Sequence, residues 1–163
     1  MCSSDLRTLF ESAAIVTHLV IAHPAKAMSP PPGSDDFGEF LSWLHLLSTN
    51  VYPLTGITFG GSAYALTPEQ DAHMTAAANG RWDVLWGLVE ARLSAEGPWL
   101  MGETYSALDL YAFMLCLWAR PTEAEFLARF PAVAHLAAAV RARPRLKAAL
   151  QAHGIMQAGG YGA

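Results

Sequence analysis

One short segment constrains the fold most, because it joins a complete helix start to a helix without a polar face. Ser106 and Asp109 have the spacing of a capping box, in which each side chain accepts a hydrogen bond from the other end of the first turn. Tyr105 and Leu110 flank the box and can pack on each other as a hydrophobic staple. Residues 110–119 read LYAFMLCLWA, and a helix that is apolar on every side is buried on every side. We therefore expect this helix to be the spine of a domain.

Signals for helix starts recur along the rest of the chain. Residues 67–70, Thr-Pro-Glu-Gln, combine a capping threonine with a proline at the first helical position, and Thr122 opens a similar segment. Pro131 and Pro144 begin two further helices, the last of which is expected to close at Gly154. No run shows sustained alternation of β-branched residues with polar ones. The pattern predicts six to eight helices and an all-α fold.

Prolines separate the helices in the first third of the chain. A helix is expected over residues 11–22, stopping at Pro24. The proline-rich residues 29–34 cannot continue a helix and are interpreted as a linker. A second helix begins at about Asp35, where acidic residues complement the helix dipole. Its expected apolar stripe consists of Phe37, Phe40, Leu41, Leu44 and Leu47.

Composition excludes several classes of function. The 163 residues are 53% hydrophobic and 15% charged, with a formal net charge of -4, and no cluster of Lys and Arg favours nucleic acid. Polar residues or prolines interrupt every apolar run, so no membrane span is expected. The six histidines lack the spacing of metal ligands, which predicts no metal. The two cysteines, Cys2 and Cys116, suit the cytoplasm, and Cys2 lacks the setting of a reactive thiol.

Four motifs in order resemble landmarks of bacterial, beta-like glutathione transferases. Residues 9–15, Leu-Phe-Glu-Ser-Ala-Ala-Ile, resemble the segment that opens the third helix of the glutathione-binding domain. Residues 43–53, which begin Trp-Leu and end Tyr-Pro, resemble the first helix of the all-helical domain and its exit. Residues 99–111 resemble the family's capping box, and residues 130–144 carry its Phe-Pro and Ala-Arg-Pro landmarks. The resemblance covers residues 7–155 and implies the helical bundle of a glutathione-transferase C-terminal domain.

The resemblance implies a division of the chain. Residues 1–6, MCSSDL, look like the translation of a sequencing-adapter end and are interpreted as non-native. Residues 7–28 match only the last helix of a thioredoxin-like domain, and residues 29–34 link it to an all-helical domain over residues 35–154. Residues 155–163 are expected to be a flexible tail. Because the family's thiol-activating residue belongs to an earlier βαβ segment, we expect a truncated chain and assign no catalytic residue.

Three residues are candidates for ligand binding. Glu11 and Ser12 are predicted to bind glutathione, since a helix start with a hydroxyl suits its γ-glutamyl carboxylate and a carboxylate suits its ammonium group. The alternative for both is a plain helix cap. Tyr52 falls where related enzymes face the glutathione sulfur and the second substrate, many with His-Lys instead of Tyr-Pro. An aromatic wall for the substrate is therefore expected, and the alternative is a surface aromatic at a helix end.

The resemblance implies a parent enzyme, a homodimer in the cytoplasm, that conjugates the glutathione thiol to a hydrophobic electrophile. The chain as given is expected to be inactive alone, because thiol activation requires the missing donor. One alternative is a non-enzymatic helical binding module of the kind attached to translation factors and synthetases. Another is a transferase-fold enzyme of different chemistry, such as an isomerase, dehalogenase or disulfide reductase.

The first helix leads to an expectation about association. Ala14, Ile15, Leu19 and Val20 have the spacing of a face that packs on the sheet of a thioredoxin-like domain. Without that sheet, this face is expected to stay loosely docked and to promote self-association.

Overall fold

The computed structural model describes residues 8–61 and 63–154. The expectations for residues 1–6 and 155–163, the adapter-like start and the tail, lie outside these ranges. The described residues contain eight α-helices and no β-strand, which confirms the all-α prediction. The helices are α1 (Ser12–Ala22), α2 (Asp35–His45), α3 (Tyr52–Thr58), α4 (Pro68–Glu96), α5 (Ala107–Cys116), α6 (Glu123–Arg129), α7 (Pro131–Arg141) and α8 (Lys147–Ala152).

The start of α4 has the cap that its sequence indicates. The Thr67 hydroxyl oxygen accepts a hydrogen bond from the Gln70 N–H at 3.2 Å. The Gln70 side chain reaches back one residue further than the cap, where its oxygen accepts from the Leu66 N–H at 2.9 Å. The N–H groups of Leu66 and Gln70 thereby both have a hydrogen-bonding partner. The helix then continues without a break for 29 residues.

The last helix is shorter than expected. Pro144 begins a 3-10 turn, Pro144–Leu146, and α8 follows it and ends at Ala152 instead of Gly154. Gly154 lies beyond the helix with a positive φ of 69°, a conformation that glycine adopts without a steric penalty.

Helix α5 is the spine of the bundle, as its sequence predicts, but one side of it is not fully covered. Most of its residues are buried, whereas Leu110 and Met114 are only partly buried and face a groove beside α1. Across the core, the rings of Trp86 and Phe126 meet edge to face, with 4.9 Å between their centroids. The fully buried large side chains are Trp86, Phe40, Phe126, Leu44, Leu47, Leu85, Leu100, Leu108, Leu115, Leu136, Glu123 and Val51.

The resemblance predicts that the first helix of the all-helical domain ends at Tyr52 and Pro53. In the structure, the chain stays helical through both residues. A π-helical segment, Leu46–Val51, continues α2 directly into α3. Pro53 lies in the first turn of α3, where a missing N–H costs little. Single π-turns inside helices occur often at functional sites, and this one brings Tyr52 to the start of a new helix.

The capping box of α5 is buried and also fixes the preceding loop. Asp109 is 0% exposed, and its carboxylate accepts from the Ser106 N–H at 2.7 Å and from the Leu100 N–H at 2.9 Å. The Ser106 hydroxyl in turn accepts from the Leu108 N–H at 3.2 Å. Burial raises the pKa of the Asp109 carboxyl, although the hydrogen bonds from Leu100 and Ser106 act in the opposite direction.

This raised pKa predicts the sign of a pH effect. A carboxyl whose pKa is higher in the folded than in the unfolded state stabilises the fold fully below the unfolded pKa, and that contribution is lost as the pH rises through the folded pKa. We expect the free energy of unfolding of the wild type, relative to Asp109→Asn, to fall as the pH rises from about 4, where an unfolded aspartate titrates. Urea denaturation at a series of pH values measures this difference, and an increase with pH contradicts the assigned direction.

Candidate functional site

The start of α1 holds Glu11 in an unusual backbone conformation. Glu11 has φ 65° and ψ 110°, outside the regions that residues with a side chain favour. Its carbonyl accepts the first helical hydrogen bond from the Ile15 N–H at 3.0 Å, so Glu11 is the N-cap residue. Its side chain makes no capping hydrogen bond. Strain of this kind costs about 1–3 kcal/mol and is concentrated at functional sites.

Ser12 is joined to the spine of the bundle by one hydrogen bond. Its Oγ lies 2.7 Å from the Tyr111 Oη, and either atom can be the donor. Tyr111 belongs to α5 and is only 5% exposed. Burial raises the pKa of the Tyr111 phenol, while its hydrogen bond with Ser12 lowers it. The phenol is therefore neutral at physiological pH and carries a proton that it can donate.

Tyr52 contacts the segment that follows α5. Its ring stacks on Trp118 with 5.4 Å between centroids, and Tyr52 is 38% exposed. Besides burial, the charge of the Glu11 carboxylate raises the pKa of Tyr111. Of the three residues chosen from the sequence, Ser12 contacts Tyr111, Glu11 precedes Ser12 at the start of α1, and Tyr52 contacts the segment that follows α5.

Two hollows flank α1. The first lies between α1 and α5, has a volume of about 440 Å³ and is apolar apart from its rim. The second lies between α1 and the α2 segment, has a volume of about 650 Å³ and includes Glu11 at one end. The α1–α5 groove is lined by Val16, Leu19, Val20, His23, Lys26, Met28, Ala107, Leu110, Tyr111 and Met114.

The residues of the expected apolar face of α1 do not share one environment in the structure. Val20 is 6% exposed and Ala13 is 7% exposed, and both join the core of the bundle. Leu19, by contrast, is 49% exposed along the α1–α5 groove. The prediction that Val20 needs a sheet to cover it is thus wrong, because the helical domain already covers it.

The sequence analysis does not identify two residues of this site, Tyr111 and Trp118. Both lie in the apolar residues 110–119, which the sequence analysis interprets only as the buried spine of the domain. The available signal was the phenol within that apolar run, since a buried Tyr hydroxyl usually has a hydrogen-bonding partner. The partner itself, 99 positions away along the chain, could not be identified from spacing.

The described residues show neither a metal site nor a membrane-spanning helix. They contain no group of three or more His, Cys, Asp or Glu residues arranged to hold a metal ion. None of the helices over residues 8–61 and 63–154 combines the length and apolar character needed to cross a membrane.

Comparison with known proteins agrees with this architecture. The family model "Glutathione S-transferase, C-terminal domain" matches residues 59–153, more than half of the chain. The chain is 25% identical to glutathione S-transferase GST-4.5 of Xanthomonas campestris over 154 residues, which are 93% of the chain and 73% of that relative. The chain belongs to the glutathione S-transferase family.

Solved structures show the same relationship. A glutathione transferase from Methylococcus capsulatus is 29% identical, with a TM-score of 0.78 over 94% of this chain and 71% of that one. A sphingomonad glutathione S-transferase in complex with glutathione is 25% identical, with a TM-score of 0.76 over 95% of this chain and 73% of that one. The helical bundle of this chain is thus similar to the corresponding part of both transferases.

Proposed function

We propose that this chain is the helical part of a transferase that joins the glutathione thiol to a hydrophobic electrophile. The observation that carries the proposal is the hydrogen bond that joins Ser12, next to Glu11 at the start of α1, to the buried phenol of Tyr111 on α5. The similar sphingomonad enzyme, which is described in complex with glutathione, supports this choice of ligand.

The start of α1 can bind the α-amino-acid end of glutathione. The first N–H groups of a helix lack partners inside the helix, and the positive end of the helix dipole favours an anion there. The γ-glutamyl carboxylate fits these N–H groups together with the Ser12 hydroxyl. The exposed Glu11 carboxylate fits the adjacent ammonium group. A zwitterion would then meet groups of opposite sign within one helical turn.

The stacked rings of Tyr52 and Trp118 can contact the electrophile. Aromatic faces attract flat apolar molecules, with about 0.5–1.5 kcal/mol for a well-placed ring pair beyond the area that is buried. Tyr52 is partly exposed, so one part of its surface stays accessible to a second substrate. We assign Tyr52 a role in substrate binding and no role in proton transfer.

Thiol activation is proposed to come from a thioredoxin-like half, of which residues 7–28 represent only the last helix. The chain by itself is then inactive, because a neutral thiol is a weak nucleophile without an activating group. A conjugation assay with the purified chain, glutathione and an aromatic electrophile tests this. We expect the uncatalysed rate, and turnover clearly above it contradicts the proposed division of labour.

Two variants of Glu11 separate binding from backbone strain. Glu11→Gln keeps the strained backbone conformation but removes the charge, and we expect glutathione affinity to fall about fivefold, as for an exposed ion pair. Glu11→Gly also removes the strain, so we expect a similar loss of affinity together with a gain of about 1 kcal/mol in the free energy of unfolding. Calorimetric titration and urea denaturation measure the two quantities. Unchanged affinity in both variants contradicts the role assigned to Glu11.

The parent enzyme is proposed to be a homodimer in the cytoplasm. Support for a dimer comes from exposed apolar side chains on α4, where Val84 is 57% and Leu88 is 49% exposed. Leu88 also borders a shallow hollow next to Trp43 on α2. Sedimentation of the chain over a range of concentrations tests this assembly, and a strictly monomeric species contradicts it for this chain.

A binding module without enzymatic activity is the second candidate. It is favoured by the hydrophobic core that the described residues form among themselves, which includes residues of α1. This module would leave Glu11 and Ser12 without a ligand, so the affinity measurements on Glu11 also distinguish the two candidates.

A further inference from the structure

We propose that Tyr111 is a positioning residue that donates its hydroxyl proton to Ser12 and thereby aims the Ser12 proton at the carboxylate of glutathione. This inference rests on the proposed function and adds a residue to it. The structural basis is the 2.7 Å contact between the Tyr111 Oη and the Ser12 Oγ, which links α5 to the first residue of α1.

The direction of the hydrogen bond follows from what each hydroxyl must do. A serine hydroxyl has one proton and can donate only once. If Ser12 donates to a bound carboxylate, its oxygen is left to accept the proton from Tyr111. If Ser12 instead donates to Tyr111, no Ser12 proton remains for the ligand. An anion at the start of α1 therefore selects the first arrangement.

Tyr111 is well suited to hold another side chain in place. Its ring is 5% exposed and belongs to the helix whose start is fixed by the buried carboxylate of Asp109. Burial keeps its phenol protonated, because it raises the pKa. A group locked by its own packing restricts the rotamers of the residue that it touches, which is how supporting residues preorganise a binding site.

The test measures the affinity of the full chain for glutathione in four variants. Ser12→Ala is expected to weaken binding about tenfold or more, the effect of a hydrogen bond to a charged group, and Tyr111→Phe about three- to tenfold. The double variant is expected to bind like Ser12→Ala, since Tyr111 acts only through Ser12. Tyr105→Phe is the matched control, because it removes a partly buried phenol whose ring meets Trp99 edge to face and has no contact with Ser12 among those observed, and it should leave affinity unchanged.

A second ligand separates positioning from a general structural role. In a glutathione analogue in which a hydrogen atom replaces the γ-glutamyl carboxylate, the group that would accept the Ser12 proton is gone. We expect Tyr111→Phe and the wild type to bind this analogue equally. Equal loss of affinity for both ligands, or faster amide exchange throughout α1 in Tyr111→Phe, overturns the positioning role.

The outcomes distinguish this inference from the proposed function. If Ser12→Ala weakens glutathione binding and Tyr111→Phe does not, the role of Tyr111 is refuted and the glutathione site stands. If the wild-type chain shows no saturable binding of glutathione, the proposed site is refuted and the role of Tyr111 falls with it.

Discussion

Replacing Asp109 with alanine is expected to lower the free energy of unfolding by about 3–5 kcal/mol, since each buried donor left without a partner costs roughly 1–3 kcal/mol. The Asp109 carboxylate accepts from three donors, the N–H groups of Leu100 and Ser106 at 2.9 and 2.7 Å and the Ser106 hydroxyl at 3.2 Å. The loss is a large part of the total, because domains are stable by only about 5–15 kcal/mol. Urea denaturation followed by far-UV circular dichroism measures it.

Two further variants make this result interpretable. Asp109→Asn keeps one carbonyl oxygen as an acceptor, so it should lose less stability than Asp109→Ala and remain folded if the alanine variant does not. Glu103→Ala removes an exposed carboxylate from the same loop and should change the free energy of unfolding by less than about 0.5 kcal/mol. If Asp109→Ala matches that control, the buried box does not hold α5 in place.

Removing Arg141 is expected to have an effect of similar size. Its guanidinium lies 2.5 Å from the carboxylate of Glu123, whose side chain is 0% exposed. Arg141→Met keeps an apolar side chain of comparable length but leaves Glu123 charged and buried, a change that costs about 3–5 kcal/mol. Thermal and urea unfolding measure the loss.

The matched control for Arg141 is Arg145→Met, which removes an exposed arginine four residues further on and should change stability little. Adding Glu123→Gln to Arg141→Met removes the buried charge that Arg141 compensates and should recover part of the loss. A double variant as unstable as Arg141→Met would show that the charge of Glu123 is not the cause.

Local chemistry made the helix starts predictable. Helix caps and first-turn prolines act within the first turn of a helix, so the sequence is sufficient to place the starts of two helices. Helix α4 has both a threonine cap and a first-turn proline, and α7 has the proline. The capping box of α5 is equally local, and its apolar continuation indicates burial in any fold.

The remaining features of the site and of the core depend on contacts between residues that are distant in the sequence. The bond between Ser12 and Tyr111 spans 99 positions, and the ion pair between Arg141 and Glu123 spans 18. The path of the chain through Tyr52 depends on a π-turn that packing selects and that no residue type demands. Periodicity assigns such residues to a helix face, but it does not identify what that face meets.

The most direct test of the account is an amide chemical-shift titration of the chain with glutathione. We expect saturable shifts at residues 11–15 and around Tyr111, with no shifts of comparable size in α7 and α8, and we expect Ser12→Ala to suppress them. Saturable shifts confined to α7 and α8, or no shifts at the start of α1 at any glutathione concentration, would contradict a glutathione site built on α1.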